Sequence, residues 1–178
     1  MQKMPVIILA SARKESDTNK FLKKVFGNTD YKLIDLLDFS VSSYDYSHQY
    51  PKEDEFFKII EELIQHDVIV FATPVYWYAM SGLLKTFFDR LTDLVTIKKE
   101  SGRQLKDKSI FLLVVGTDKE LPLGFDKPFE LSARYLCMSY QGHIYFSTKH
   151  PKPEQLVEDL IYSFIQKVKE RLSNPGNL

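Results

Sequence analysis

Short apolar runs alternate with stretches of helical periodicity along the whole chain. Residues 5–10 (Pro-Val-Ile-Ile-Leu-Ala) are uninterruptedly apolar and rich in β-branched side chains, the pattern of a strand buried on both faces. Thr18 to Phe26 follows, with Phe21, Leu22, Val25 and Phe26 on one helical face. Tyr31 to Leu36 reads as a second strand, interrupted by Lys32 and Asp35 as an edge position tolerates. A polar loop rich in Tyr and Ser covers Asp38 to Pro51. Lys52 to Gln65 then reads as a helix with Phe56, Phe57, Ile60, Leu63 and Ile64 on its apolar face. Asp67 to Thr73 is the clearest strand, and Leu83, Leu84, Phe87, Phe88 and Leu91 mark the helix behind it. Ser109 to Val115, closed by Gly116, is the fourth strand. A helix over Lys127 to Ser139, striped by Phe129, Ala133, Leu136 and Tyr140, precedes a fifth strand from His143 to Ser147. The last helix, from about Pro153 to Leu172, carries the stripe Leu156, Val157, Leu160, Ile161, Phe164, Ile165, Val168 and Leu172.

Five strands and five helices in strict alternation imply βαβ units and a parallel sheet with helices on both faces. Strand two is the most polar and strands one and three the most apolar, which fits the order 2-1-3-4-5. No repeat, low-complexity run or linker divides the chain, so residues 1–172 are expected to form a single domain, with 173–178 a frayed tail. In this architecture ligands bind beyond the carboxyl ends of the strands, where the winding reverses. That point lies between strands one and three, so function is to be read from the loops after strands one, three and four.

Charge and composition narrow the classes. The 178 residues hold 24 Lys+Arg against 24 Asp+Glu. A balanced charge gives no support for a nucleic-acid partner and argues against an acidic electron shuttle, which relies on a strongly charged face. One cysteine, Cys137, excludes an intrachain disulfide and a Cys-rich metal site, and four scattered histidines form no ligand pair. The apolar run at 5–10 is too short for a signal-peptide core or a membrane span, so a cytoplasmic location without a membrane partner is expected.

The loop after strand one reads Ser11-Ala-Arg-Lys-Glu-Ser-Asp-Thr-Asn19 and opens the first helix. Its hydroxyls (Ser11, Ser16, Thr18), Asn19, backbone N–H groups and a helix N-terminus converge on what a phosphate dianion needs, with Arg13 and Lys14 able to add positive charge. Ser16 or Asp17 can also serve as an N-cap. No Gly-Lys-Ser/Thr follows, and no glycine lies between Pro5 and Phe26, so neither a Walker loop nor a dinucleotide fingerprint is present. The loop after strand three, Thr73-Pro-Val-Tyr-Trp-Tyr-Ala-Met-Ser-Gly82, sets three aromatics in a row at the mouth of a central strand. A flat heteroaromatic ring needs such a surface. Filling space against neighbouring helices is the plainer role for any one of these rings.

Together the two loops resemble those of the NADPH-dependent FMN reductase and NAD(P)H:quinone oxidoreductase family of flavodoxin-like proteins. The form Ser-x-Arg-x-x-Ser-x-Thr is matched by Ser11, Arg13, Ser16 and Thr18. The form Thr-Pro-x-Tyr is matched by Thr73 to Tyr76, and Leu84-Lys85 and Asp89-Arg90 follow at the family's spacing. The family usually has a glycine before the first serine; this chain has Ala10. Asp17 sets a negative charge beside the implied phosphate, where it either turns outward as a cap or weakens binding. The resemblance implies a flavodoxin-like three-layer sandwich binding FMN, with NADPH or NADH as transient hydride donor. Ser11, Arg13, Ser16, Thr18 and Asn19 would hold the phosphate. Pro74, Val75, Tyr76 and Trp77 would line the isoalloxazine, and Gly116, Thr117 and Asp118 would flank its other side. The implied activity passes a hydride through flavin N5 to a small acceptor: a quinone, a flavin, an azo or nitro compound, or a ferric chelate. A homodimer is also implied. Two alternatives stand beside this: a non-catalytic electron carrier and a flavin-free interaction module.

The remaining residues of note have plainer readings. Lys85 and Asp89 form an i,i+4 pair, and Arg90 reads as structural with them. Tyr44 and Tyr46 belong to a loop that either covers the flavin or a partner or stays on the surface. Cys137 reads as a small buried helix residue. His143 is placed near the N-terminal edge of the sheet, and Pro122 to Phe125 as a turn bordering the pocket.

Overall fold

The computed structural model describes residues 4–174. Five strands form one parallel sheet in the order β2-β1-β3-β4-β5: β1 (Val6–Leu9), β2 (Lys32–Asp35), β3 (Val68–Pro74), β4 (Ser109–Gly116) and β5 (Ser139–Ser147). Successive side chains of a strand point to opposite faces, and the sheet uses this to build two cores. Ile8, Ile69, Phe71, Ile110 and Leu112 face one layer, formed by α2 (Phe56–Leu63), α3 (Gly82–Arg90) and α6 (Lys127–Tyr135). Ile7, Leu9, Val68, Val70, Phe111 and Leu113 face the other, formed by α1 (Asp17–Phe26) and α7 (Glu154–Ser173). This is the expected three-layer sandwich with the expected strand order.

The boundaries depart from the sequence reading in four places. The helix expected from Lys52 begins only at Phe56, because the Asp54 carboxylate is held by the Ser42 N–H and the Arg90 guanidinium, which keep the preceding segment in a loop. The helix expected to reach Ser139 stops at Tyr135. Cys137 takes a positive φ of 56°, the chain turns, and β5 begins at Ser139, so Tyr140 pairs with Ile110 in the sheet instead of continuing the helix. Cys137 is exposed, not a buried helix residue. His143 lies within β5 opposite Leu112 instead of opening it; the strand is longer because it carries an irregularity beside Gly142, whose φ is 107°. Finally, the segment between Arg90 and β4 holds two short helices, α4 (Asp93–Thr96) and α5 (Lys99–Arg103). On α7 the buried stripe is Val157, Phe164, Ile165, Val168 and Leu172, whereas Leu156 and Leu160 are exposed. Of the expected tail, Ser173 ends α7, and 175–178 lie outside the described residues.

Candidate functional site

The carboxyl ends of β1, β3 and β4 open into a cleft of about 390 Å³, within the roughly 300–1,000 Å³ range of small-molecule and cofactor sites. Ser11, Ala12, Arg13, Ser16, Asp17 and Thr18 line one end. Pro74, Val75 and Tyr76 form one wall, and Val115, Gly116, Thr117 and Thr148 the other. The cleft sits at the switch point between β1 and β3, as the topology requires.

The loop end is a set of free donors. Ser16 caps α1: its side-chain oxygen accepts the Asn19 N–H at 3.1 Å, leaving its own proton to donate. Ser11 and Thr18 are 2% and 1% exposed, and among the described residues their hydroxyls have no hydrogen-bond partner. The backbone N–H groups of residues 11–18 likewise find no acceptor among those residues. Hydroxyls and amides left unpaired at a helix N-terminus make an anion site.

A serine on the far side of the cleft fixes this geometry. The Ser81 hydroxyl donates to the Ala10 carbonyl at 2.7 Å and accepts the Leu84 N–H at 3.2 Å, capping α3. Its own N–H donates to the Thr73 hydroxyl at 3.1 Å. One residue thus ties the ends of β1 and β3 to the start of α3. Opposite, both the N–H and the hydroxyl of Thr148 donate to the Gly116 carbonyl, at 2.9 and 3.2 Å.

Three predicted residues do not line the cleft. Asn19 turns its amide to the Lys14 carbonyl at 2.8 Å, and its buried Oδ1 has no partner among the described residues. The Asp118 carbonyl accepts the Tyr145 hydroxyl at 2.8 Å; burial pushes the pKa of that phenol up. Trp77 is 93% exposed. It forms a two-residue turn with Tyr78, both at positive φ (49° and 64°), closed by hydrogen bonds between Tyr76 and Ala79 at 2.9 and 3.0 Å. Lys14, expected to add charge at the anion site, instead binds Asp35 and Asp38 at 2.8 and 2.6 Å, and the Asp35 hydrogen bond raises its pKa. Thr148 was missed from sequence. Its place at the cleft follows from β5 lying beside β4, and no motif marks it.

The residues present suit FMN. The unpaired hydroxyls and amides match a phosphate monoester. Gly116 is packed so closely that a Cβ there would lie 2.6 Å from the Tyr145 hydroxyl, so this position on the cleft wall carries no side chain. A family profile for NADPH-dependent FMN reductases matches residues 5–150. The chain belongs to this family. Among curated relatives, YwqN of Bacillus subtilis (strain 168), provisionally named an NAD(P)H-dependent FMN-containing oxidoreductase, is 34% identical over 100 residues, covering 53% of this chain. The match spans about half of that relative, 54% of its length. The Trp repressor binding protein of Bacillus subtilis shares the fold at a TM-score of 0.68 and 24% identity, over 89% of this chain and 96% of that one. The general stress protein 14 of Treponema denticola, solved with FMN, does so at a TM-score of 0.64 and 20% identity, over 96% and 98%. The shared architecture is the flavodoxin-like fold. Among the described residues no helix is long and apolar enough to cross a membrane, and no cluster of ligating side chains could hold a metal ion.

Proposed function

We propose that the chain is an FMN-dependent NAD(P)H oxidoreductase acting as a single binding domain. The observation that carries the reading is the cleft itself: unpaired donors at the N-terminus of α1 lie at one end of a slot walled by residues at the ends of β3 and β4. A Treponema denticola protein of the same fold was solved with FMN, which supports the choice of cofactor. Ser11, Ser16 and Thr18 would hold the phosphate through hydroxyls, with the amides of residues 11–18 and Arg13. Pro74, Val75 and Tyr76 would support one side of the ring, and Gly116 and Thr117 the other. Trp77 and Asp118 would shape the slot from just outside it, and Asn19 would do so by fixing the loop at Lys14. Bound FMN supplies hydride and electron transfer between a nicotinamide and an acceptor. The protein's part is to bind, orient and leave one ring face open. The acceptor class is a small flat oxidant: a quinone, a flavin, an azo or nitro compound, or a ferric chelate.

The exposed aromatic turn at Trp77 and Tyr78 beside the cleft supports a homodimer in which the partner covers the mouth. A cytoplasmic location fits a reductase that draws on NAD(P)H.

The test is the visible spectrum of the protein with added FMN, followed by anaerobic NADPH and NADH. Bleaching of the flavin band within seconds is expected. Bound flavin that neither donor bleaches would favour an electron carrier, and absence of binding would remove the flavin reading.

A further inference from the structure

Side chains bring little net charge to the phosphate end of the cleft. Only two charged side chains line it among the described residues, Arg13 and Asp17, and they face one another across 3.9 Å. Lys20 approaches Asp17 from the helix at 3.6 Å. Lys14, the other cation of the loop, is drawn off to Asp35 and Asp38. An arriving phosphate therefore meets neutral donors, a carboxylate at the first position of α1, and one guanidinium that this carboxylate already engages. We infer that Asp17 competes with phosphate for Arg13, so that the Arg13–Asp17 pair sets how tightly, and at what ionic strength, the chain holds a phosphate-bearing flavin.

The inference rests on the flavin reading and makes it more specific. A phosphate that takes Arg13 from Asp17 then sits close to a carboxylate left with Lys20 as its partner, so binding carries a like-charge cost that neutral donors must offset. A unit charge at about 4 Å interacts by about 1 kcal/mol even in water; that is roughly a five-fold change in binding. The cost is confined to the phosphate. Riboflavin, which has the same ring and no phosphate, escapes it. Salt screens exposed charges, so the cost shrinks as salt is raised. The consequence is a weakly retained, exchangeable FMN at low ionic strength, with the Arg13–Asp17 pair acting as its release element.

The experiment measures dissociation constants of FMN and riboflavin by fluorescence quenching at low and high sodium chloride. The proteins are the full chain, Asp17→Asn, Arg13→Gln and the double variant. Asp17→Asn is expected to tighten FMN about five-fold at low salt, to leave riboflavin unchanged, and to lose most of the gain at high salt. In the Arg13→Gln background the gain should be smaller, since the competed group is gone. Unchanged or weaker FMN binding by Asp17→Asn, with its thermal midpoint retained, overturns the inference while the flavin reading stands. An equal change for riboflavin overturns it too, because the effect would then be on the loop and not on phosphate. Failure of the parent chain to bind either flavin overturns the flavin reading and this inference together.

Discussion

Tyr145 shows how little room single residues leave at this site. Its hydroxyl passes beneath Gly116 to reach the Asp118 carbonyl at 2.8 Å. A Cβ at position 116 would meet that oxygen at 2.6 Å and the Val75 side chain at 3.2 Å. Gly116→Ala is therefore expected to destabilise the fold by about 1–3 kcal/mol, the usual cost of overpacking, and to push the tyrosine off Asp118. Adding Tyr145→Phe removes the crowded oxygen and should recover part of the loss. Urea unfolding midpoints of the two variants check this; no recovery in the double variant would mean that the crowding lies elsewhere. At this scale the sequence was partly legible. Ser11, Ser16 and Thr18 line the cleft as expected, because the loop that carries them there is local in sequence. The direction of Lys14 could not be read, because its partner Asp35 is brought beside the loop only by the register in which Leu9 pairs with Asp35. Thr148 is invisible for the same reason: its role depends on β5 lying next to β4.

Arg90 organises a whole element from the end of α3. It is fully buried. Its guanidinium binds Asp54 at 2.7 and 3.1 Å, Asp93 at 2.7 Å and the Ser42 carbonyl at 3.1 Å, and stacks on Tyr50 at 3.5 Å. The loop between β2 and α2 closes around it, its ends joined by the Glu55 backbone N–H donating to the Ser40 carbonyl at 2.7 Å. The Leu-Lys-x-x-x-Asp-Arg spacing marked Arg90 as structural, but the residues it gathers are dispersed over more than forty positions. That is also why α2 starts later than its periodicity implies: the pattern is helical from Lys52 onward, while Asp54 is committed to Arg90. Removing one partner of a buried ion pair strands the others. Arg90→Met is expected to cost about 3–5 kcal/mol, and Arg90→Lys to recover only a fraction because it lacks the two-pronged fork. Burial pushes the Asp54 pKa up, but Arg90 and the N–H groups of Ser42 and Phe56 outweigh it and hold the pKa below its usual value. A carboxyl depressed in the folded state adds stability above its unfolded pKa of about 3.9, and that stability is lost as pH falls through the lower folded value. Urea unfolding from about pH 7 down to about pH 3 should therefore show an acid loss that is shallower in Asp54→Asn. An identical acid slope in the variant would place the titration on other carboxylates.

On the scale of the whole molecule, the turn at Trp77 and Tyr78 is costly in isolation. Two-residue turns with both φ positive favour Asn-Gly, because a Cβ in the left-handed region costs roughly 1–2 kcal/mol per residue. Here the two positions hold the chain's single tryptophan and a tyrosine, at 93% and 70% exposed. With both rings this exposed, neither packing among the described residues nor turn chemistry offsets that strain. Strain of this kind persists where another interaction compensates for it, and burial against a second copy of the chain is the compensation proposed. A formal net charge of zero sets no long-range repulsion against such an encounter. Substituting Trp77→Asn with Tyr78→Gly should then have opposite effects at two levels. The isolated protomer gains about 1–3 kcal/mol in urea unfolding at high dilution, as the left-handed strain is relieved. The assembly loses its aromatic contact and sediments as a monomer at concentrations where the parent chain is dimeric. In the parent, emission from Trp77 should shift to shorter wavelength as concentration rises and the indole leaves water. A variant that gains stability yet still dimerises would show that the turn serves the cleft alone. A variant that gains nothing would show that the ring contacts already balance the strain within one chain.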